Sequence, residues 1–182
     1  MQTGFGKNGN ISSPLTARGY YLDEVISALQ KEIRRGKEYA AAYWAIELES
    51  FNPKALWNRL RVIASEDVGI AEPHAPLIVN ALESAYWDAK EKKKEESKLF
   101  FVNAVLILAK ASKCRIADDL TITLYHNIEK GEMLEMPDYA IDKHTFRGRK
   151  IGRESKHFVE EGSKIANEVA VNPYKETAKK FC

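Results

Sequence analysis

"RLRVIASEDVGIAEPHAP", Arg59 to Pro76, decides how the chain is read. Its first half continues a stripe of Leu56, Leu60, Ile63 and Ala64, which recurs at helical spacing. Asn52 followed by Pro53 marks the start of that helix, a capping side chain ahead of a first-turn proline. Gly69 marks its end. Glu66 and Asp67 fall at that end, where the carbonyl groups of a helix already carry partial negative charge. Two acids placed there need a partner. They are either the acid pair of a catalytic site or the pins of a joint.

Working outward in both directions, the pattern stays helical. Leu22, Val25, Ile26, Leu29 and Ile33 form one stripe, closed by Gly36. "EYAAAYWAIELESF" is alanine-rich, which suits a helix packed close to its neighbours. Downstream, a helix is expected from Pro73, with Ile78, Ala81, Leu82, Ala85 and Tyr86 on one face. "KEKKKEESK", Lys90 to Lys98, reads as a solvated helix end and connection. Leu99 to Ala109 is apolar nearly all round, as in a central helix with neighbours on every side. Ile116, Leu120, Leu124 and Ile128 define one more amphipathic segment, weakened by the β-branched run Thr121-Ile122-Thr123. No alternating run is flanked by hairpin turns, so the fold class is all-α, a compact bundle of six or more helices.

The chain has 182 residues and a net charge of +2, which bounds it to one ordinary core and gives no overall bias towards nucleic acid. Cys114 and Cys182 show no metal or disulfide spacing and read as reduced thiols of a cytoplasmic protein. The polar start, "MQTGFGKNGN", has no signal-peptide core. Leu99–Ala109 is too short to span a bilayer. Gly4, Gly6 and Gly9 match a dinucleotide-binding spacing without the strand that motif requires, and Gly6-Lys7-Asn8 lacks the hydroxyl residue of a phosphate-binding loop. His74, His126, His144 and His157 contain no i, i+4 pair. No cofactor and no metal site is expected.

The order of four blocks carries a resemblance: "YYLDEVISALQKEIRRG", "AAAYWAIELES", "PKALWNRLRVIASEDVGIAEPHA" and "LFFVNAVLILAKASK". Together they resemble the C-terminal helical region of the RarA/MgsA group of AAA+ ATPases, which includes the Werner-helicase-interacting protein. "RLRVIASEDVGIAEP" is the most specific piece. Here Glu72 stands where the family has aspartate before Pro73. The resemblance implies a clamp-loader-like collar domain without the motor, a homotetramer, and work in DNA replication, recombination or repair with DNA, replication proteins or a separate ATPase as partners. The short apolar stretch and the missing catalytic motifs lead to the expectation of no membrane association and no catalysis by this region.

Three segments follow: a flexible lead over 1–18, the collar-like domain over 19–135, and a basic extension over 136–182. Within the joint, Ser65, Glu66, Asp67, Gly69 and Pro73 are the candidate structural residues, with Ser65 and Asp67 expected to cap the next helix. Arg59 and Arg61, two helical turns back, are the arginines nearest in sequence. Within the extension, Lys143, Arg147, Arg149, Lys150, Arg153 and Lys156 face one acid, Glu154: six cations less one anion is +5, which leaves −3 for the rest. Gly148 and Gly152 let backbone approach a partner closely. The segment admits three readings. It contacts the phosphates of a nucleic acid. It clamps onto acids such as Asp118, Asp119, Glu66 or Asp67. Or it holds a phosphate-bearing small substrate through Arg147, Arg149 and Arg153, with Asp138, Asp142 or His144 as acid–base groups. A scaffold that docks on a separate ATPase without touching nucleic acid remains a further alternative.

Overall fold

A computed structural model describes residues 13–168 and 170–181; the glycine-bearing start at 4–9 and Cys182 lie outside them. Among the described residues the chain is all-α, with one isolated bridge between Leu15 and Tyr21 and no strand. It divides into two units, Met1–Asn127 and Ile128–Cys182.

The first unit holds α1 (Leu22–Arg34), α2 (Glu38–Phe51), α3 (Pro53–Ile63), α4 (Ala75–Glu91), α5 (Ser97–Lys110) and all but the last two residues of α6 (Ile116–Glu129). The expected stripe of α1 is its buried face, with Val25, Leu29 and Ile33 inside and Leu22 and Ile26 against them. Gly36 closes α1 at a φ of +70°, a conformation glycine reaches without strain. Asn52 caps α3, its side-chain oxygen accepting from the Ala55 N–H at 3.0 Å, with Pro53 at the first position. α5 is the central element, packed against α1, α2, α3 and α4. Its sequence carries no polar stripe, and Asn103 is the one exposed residue between its ends.

Trp57, Tyr86 and Phe101 form an aromatic cluster at the centre, with ring centroids 5.5 Å apart for Trp57–Tyr86 and 6.2 Å for Tyr86–Phe101. Burial in this cluster pushes the Tyr86 hydroxyl well above its ordinary range, and its bond to Glu49 adds to the shift.

Two expectations for α4 need correction. The helix starts at Ala75 rather than Pro73, and the proline in its first turn is Pro76. Glu72 supplies only its backbone carbonyl, to the Ala75 N–H at 2.9 Å. The buried face is Ala75, Val79, Tyr86 and Ala89, with Leu82 half-buried, while Ile78 and Ala81 face out. The stripe is turned by about one position because Tyr86 must reach Trp57 on one side and Glu49 on the other.

α6 forms through the Thr-Ile-Thr run, with Thr121 and Thr123 donating to the carbonyls of Ala117 and Asp119 one turn back, both at 2.7 Å. None of its residues is buried among the described residues.

The second unit is built differently. Its helical segments are short: α7 (Phe146–Lys150), α8 (Ser155–His157), which runs into a wider turn over Phe158–Gly162, and α9 (Lys175–Ala178). Ile141 is its one buried hydrophobic side chain among the described residues. No helix among the described residues is long and apolar enough to cross a membrane.

Candidate functional site

α3 does not stop at the acids. It widens into a π turn over Ala64–Val68, then tightens into a 3₁₀ turn over Gly69–Ala71. The π turn rotates Asp67 inwards, where its side chain is fully buried, while Glu66 stays half-buried beside it and Ser65 faces solvent.

A buried carboxylate needs several donors to be tolerated. Asp67 has three, two from α1 and one from the segment that precedes α6. Arg34 of α1 donates from Nε at 2.6 Å, Arg115 from Nη1 at 2.9 Å, and Gln30 of α1 from Nε2 at 3.0 Å. Glu66 Oε1 takes Arg34 Nη2 at 3.1 Å and Arg115 Nη1 at 2.8 Å. Arg115 also holds Asp118, in the first turn of α6. Hydrogen bonds from Arg115 to Glu66, then to Asp67, raise its already high pKa further, so its charge is permanent.

Backbone contacts run alongside these ion pairs. The Cys114 N–H donates to the Asp67 carbonyl at 2.9 Å. Gly69 sits at a φ of +55°, and a Cβ there would lie 2.5 Å from the Cys114 carbonyl oxygen. Glycine is required twice, for its conformation and for the approach of a second strand of chain.

Asp67 and Ser65 therefore cap nothing; the carboxylate that was expected to accept backbone N–H groups takes arginines instead. The arginines nearest in sequence are occupied elsewhere. Arg59 donates to Gln30 Oε1 at 3.0 Å, and Arg61 to Glu83 Oε2 at 2.6 Å. Pro73 lies in the connection between the 3₁₀ turn and α4. Arg34 and Arg115 were not identified from the sequence. The only local hint for Arg34 was a cation in the last turn of α1, where the helix dipole favours one.

In the second unit the six basic residues separate into two groups. Arg153 is a folding residue: its Nη1 donates to the carbonyls of Asp138 at 2.6 Å and Ile141 at 2.7 Å, and its Nη2 to the Asp138 carboxylate. That bond holds the Asp138 carboxyl below the usual range. Arg149 donates to the His144 carbonyl at 2.8 Å, and Lys143 to Ser155 Oγ at 2.8 Å while lying over the Phe158 ring. Thr145 caps α7 through the Gly148 N–H at 3.0 Å. A Cβ on Gly148 would come 1.8 Å from the Asp142 carbonyl oxygen, so the close approach that glycine permits is to its own unit.

Arg147, Lys150 and Lys156 form the other group. Their side chains are exposed and have no hydrogen-bond or ion-pair partner among the described residues. Of the acid–base candidates, Asp138 is engaged by Arg153 and Asp142 accepts the His144 N–H at 2.9 Å.

Residues 36–178 match the family model described as "MgsA AAA+ ATPase C terminal". Replication-associated recombination protein A of Bacillus subtilis is 30% identical over 132 residues, covering 71% of this chain and 30% of that protein. Its namesake from Haemophilus influenzae is 30% identical over 124 residues, 66% of this chain and 26% of that protein. The chain thus spans under a third of the length of these curated relatives.

Proposed function

The chain belongs to the MgsA AAA+ ATPase C-terminal family, and from that premise we propose that it is a non-catalytic module of replication-associated recombination, which assembles as a homotetramer and contacts DNA. It works in the cytoplasm, alongside replication proteins or an ATPase motor. The observation that carries the DNA half is the division of the basic segment. Arg149, Arg153 and Lys143 tie the segment to itself, which presents Arg147, Lys150 and Lys156 outwards on an ordered frame. Free cations on a frame suit phosphates, because their charge is not already spent on neighbours.

The acidic joint supports a structural role in the same reading. Glu66 and Asp67 share Arg34 and Arg115, and Gln30 takes the second oxygen of Asp67, so the buried acid has both oxygens engaged and both acids are held as ion-pair partners of the joint. The small-substrate alternative also loses Asp138 to Arg153.

The test is light-scattering mass with and without a forked DNA oligonucleotide at two salt concentrations. Binding is expected to weaken with salt at a log–log slope of roughly 0.7–0.9 per phosphate neutralised. The triple variant Arg147→Ala, Lys150→Ala, Lys156→Ala should flatten that slope by about two to three units while the fold persists. Binding that ignores salt, or a triple variant with an unaltered slope, removes the DNA half.

A further inference from the structure

Phe146 and Phe158 belong to the same unit and are used in opposite ways. Phe158 is half-buried. The His144 ring meets it edge-on with centroids 5.1 Å apart, the Lys143 ammonium lies 5.5 Å from its centroid, and a Cβ on Gly162 would come 3.1 Å from it. Phe146 is 76% exposed and shares α7 with Arg147 and Lys150, two of the three free cations. We infer that Phe146 stacks on a base at the proposed DNA site, and that the site therefore takes a strand whose bases are unpaired. This rests on the reading above and deepens it, because the cations account for the phosphates and the ring for the base.

The first observation is how α7 is turned. Gly148 is its buried residue. Thr145 Oγ1 accepts the Gly148 N–H at 3.0 Å and donates to the Asp142 carbonyl at 3.0 Å, the same carbonyl that Gly148 meets. At about 100° per residue, Phe146 and Lys150 both lie roughly 160° round the helix from Gly148. The contacts that hold Gly148 inwards therefore hold the Phe146 ring outwards.

The second is spacing. Residues four apart on a helix have Cβ atoms about 5–6 Å from one another, so Phe146 and Lys150 are neighbours, and Arg147 lies one turn from Lys150. A ring and an ammonium set that close suit one nucleotide, the ring on the face of the base and the ammonium on its phosphate.

The third is charge. Met133, Leu134 and Met136 are also exposed, but Glu132 and Glu135 stand among them and repel a phosphate strand. Within three positions of Phe146 stand Lys143, Arg147 and Arg149 and no acid. A duplex covers the faces of its bases with their neighbours, so a ring reaches them only by unstacking a step. An unpaired base offers its face without that cost. Every base has such a face, so the contact selects the state of the strand and not its sequence.

The experiment uses the full chain. Fluorescence anisotropy at low salt measures its affinity for a deoxythymidine oligonucleotide and for an abasic strand of the same length and charge. The unaltered chain should bind the thymidine strand about five- to 150-fold more tightly. Phe146→Ala and Phe146→Leu should both erase most of that ratio without changing abasic binding, and Phe146→Trp should keep it. Leucine retains apolar bulk and loses the π face, so a ring that merely packed within the chain would be replaced by leucine with the ratio intact. That result overturns the stacking role. So does a variant that weakens both strands equally, or one that lowers the thermal midpoint and leaves the ratio unaltered. Equal binding of the two strands by the unaltered chain overturns stacking and leaves the DNA reading standing. Binding of neither strand overturns both.

Discussion

Arg115 and Asp67 are 48 positions apart in the chain and meet at 2.9 Å, with Asp67 fully buried and Arg115 one-third exposed. The contact closes a loop that contains α4 and α5, so it reports on the whole first unit. Replacing Asp67 by alanine leaves Arg34, Arg115 and Gln30 without their shared acceptor. Truncating one member of a buried pair costs about 3–5 kcal/mol, and the partial exposure of both arginines places this case at or below the lower end. Urea unfolding should show the loss as a lower midpoint. Glu66→Gln, at a half-exposed site, should cost under about 1 kcal/mol.

Gly69→Ala should be as damaging as a core truncation. The new methyl group meets the Cys114 carbonyl at 2.5 Å, and the backbone must hold a positive φ that alanine disfavours. A loss of about 2–3 kcal/mol is expected from strain of this kind. Thermal unfolding measures it, and a midpoint within a degree of the parent would show that the two backbone segments are not in contact.

Acid should weaken the first unit partly through Glu49. Burial alone would push its carboxyl up, but the bonds from Lys90 and Tyr86 outweigh burial and hold it below its ordinary value of 4.5. The unfolded chain therefore binds this proton at higher pH than the folded chain does. The stability that Glu49 contributes is complete above pH 4.5 and is lost as pH falls through the depressed folded value. The stability difference between the parent and Glu49→Gln should be flat from neutral pH to about 5 and shrink below it. A difference that grows with acid would reverse the sign and refute the assignment.

Arg153 and Lys156 are three residues apart and should behave oppositely. Arg153→Ala removes donors to two carbonyls and a carboxylate, and should speed amide exchange across 138–162. Lys156→Ala removes an exposed cation with no partner among the described residues and should leave exchange unchanged. Equal protection in the two variants would dissolve the division between framing and free cations.

The helices were legible in the sequence because apolar periodicity is a local signal. Asn52, Pro53 and Gly36 act where their chemistry predicts, and α5 is central because it is apolar on every side. What needed three dimensions was any choice between near neighbours. Ile78 and Val79 are adjacent and both apolar, so only the demand on Tyr86 decides which is buried. The acids were visible as an anomaly at a helix end, but their partners lie 33 residues upstream and 48 downstream, and no pattern of spacing connects them. The basic segment was visible as charge, yet charge alone does not separate Arg153, which is used in folding, from Lys156, which is not.

Ile141 is the single buried hydrophobic side chain among the described residues of Ile128–Cys182. One such residue supplies only about 2 kcal/mol of burial, against an ordering entropy of 1 kcal/mol or more for each residue fixed. The shape of that unit is written in polar bonds that water competes for. Its melting should be broad and early, well before the sharp transition of the aromatic cluster, and an anionic polymer that grips its cations would narrow the transition by supplying enthalpy that the sequence itself withholds.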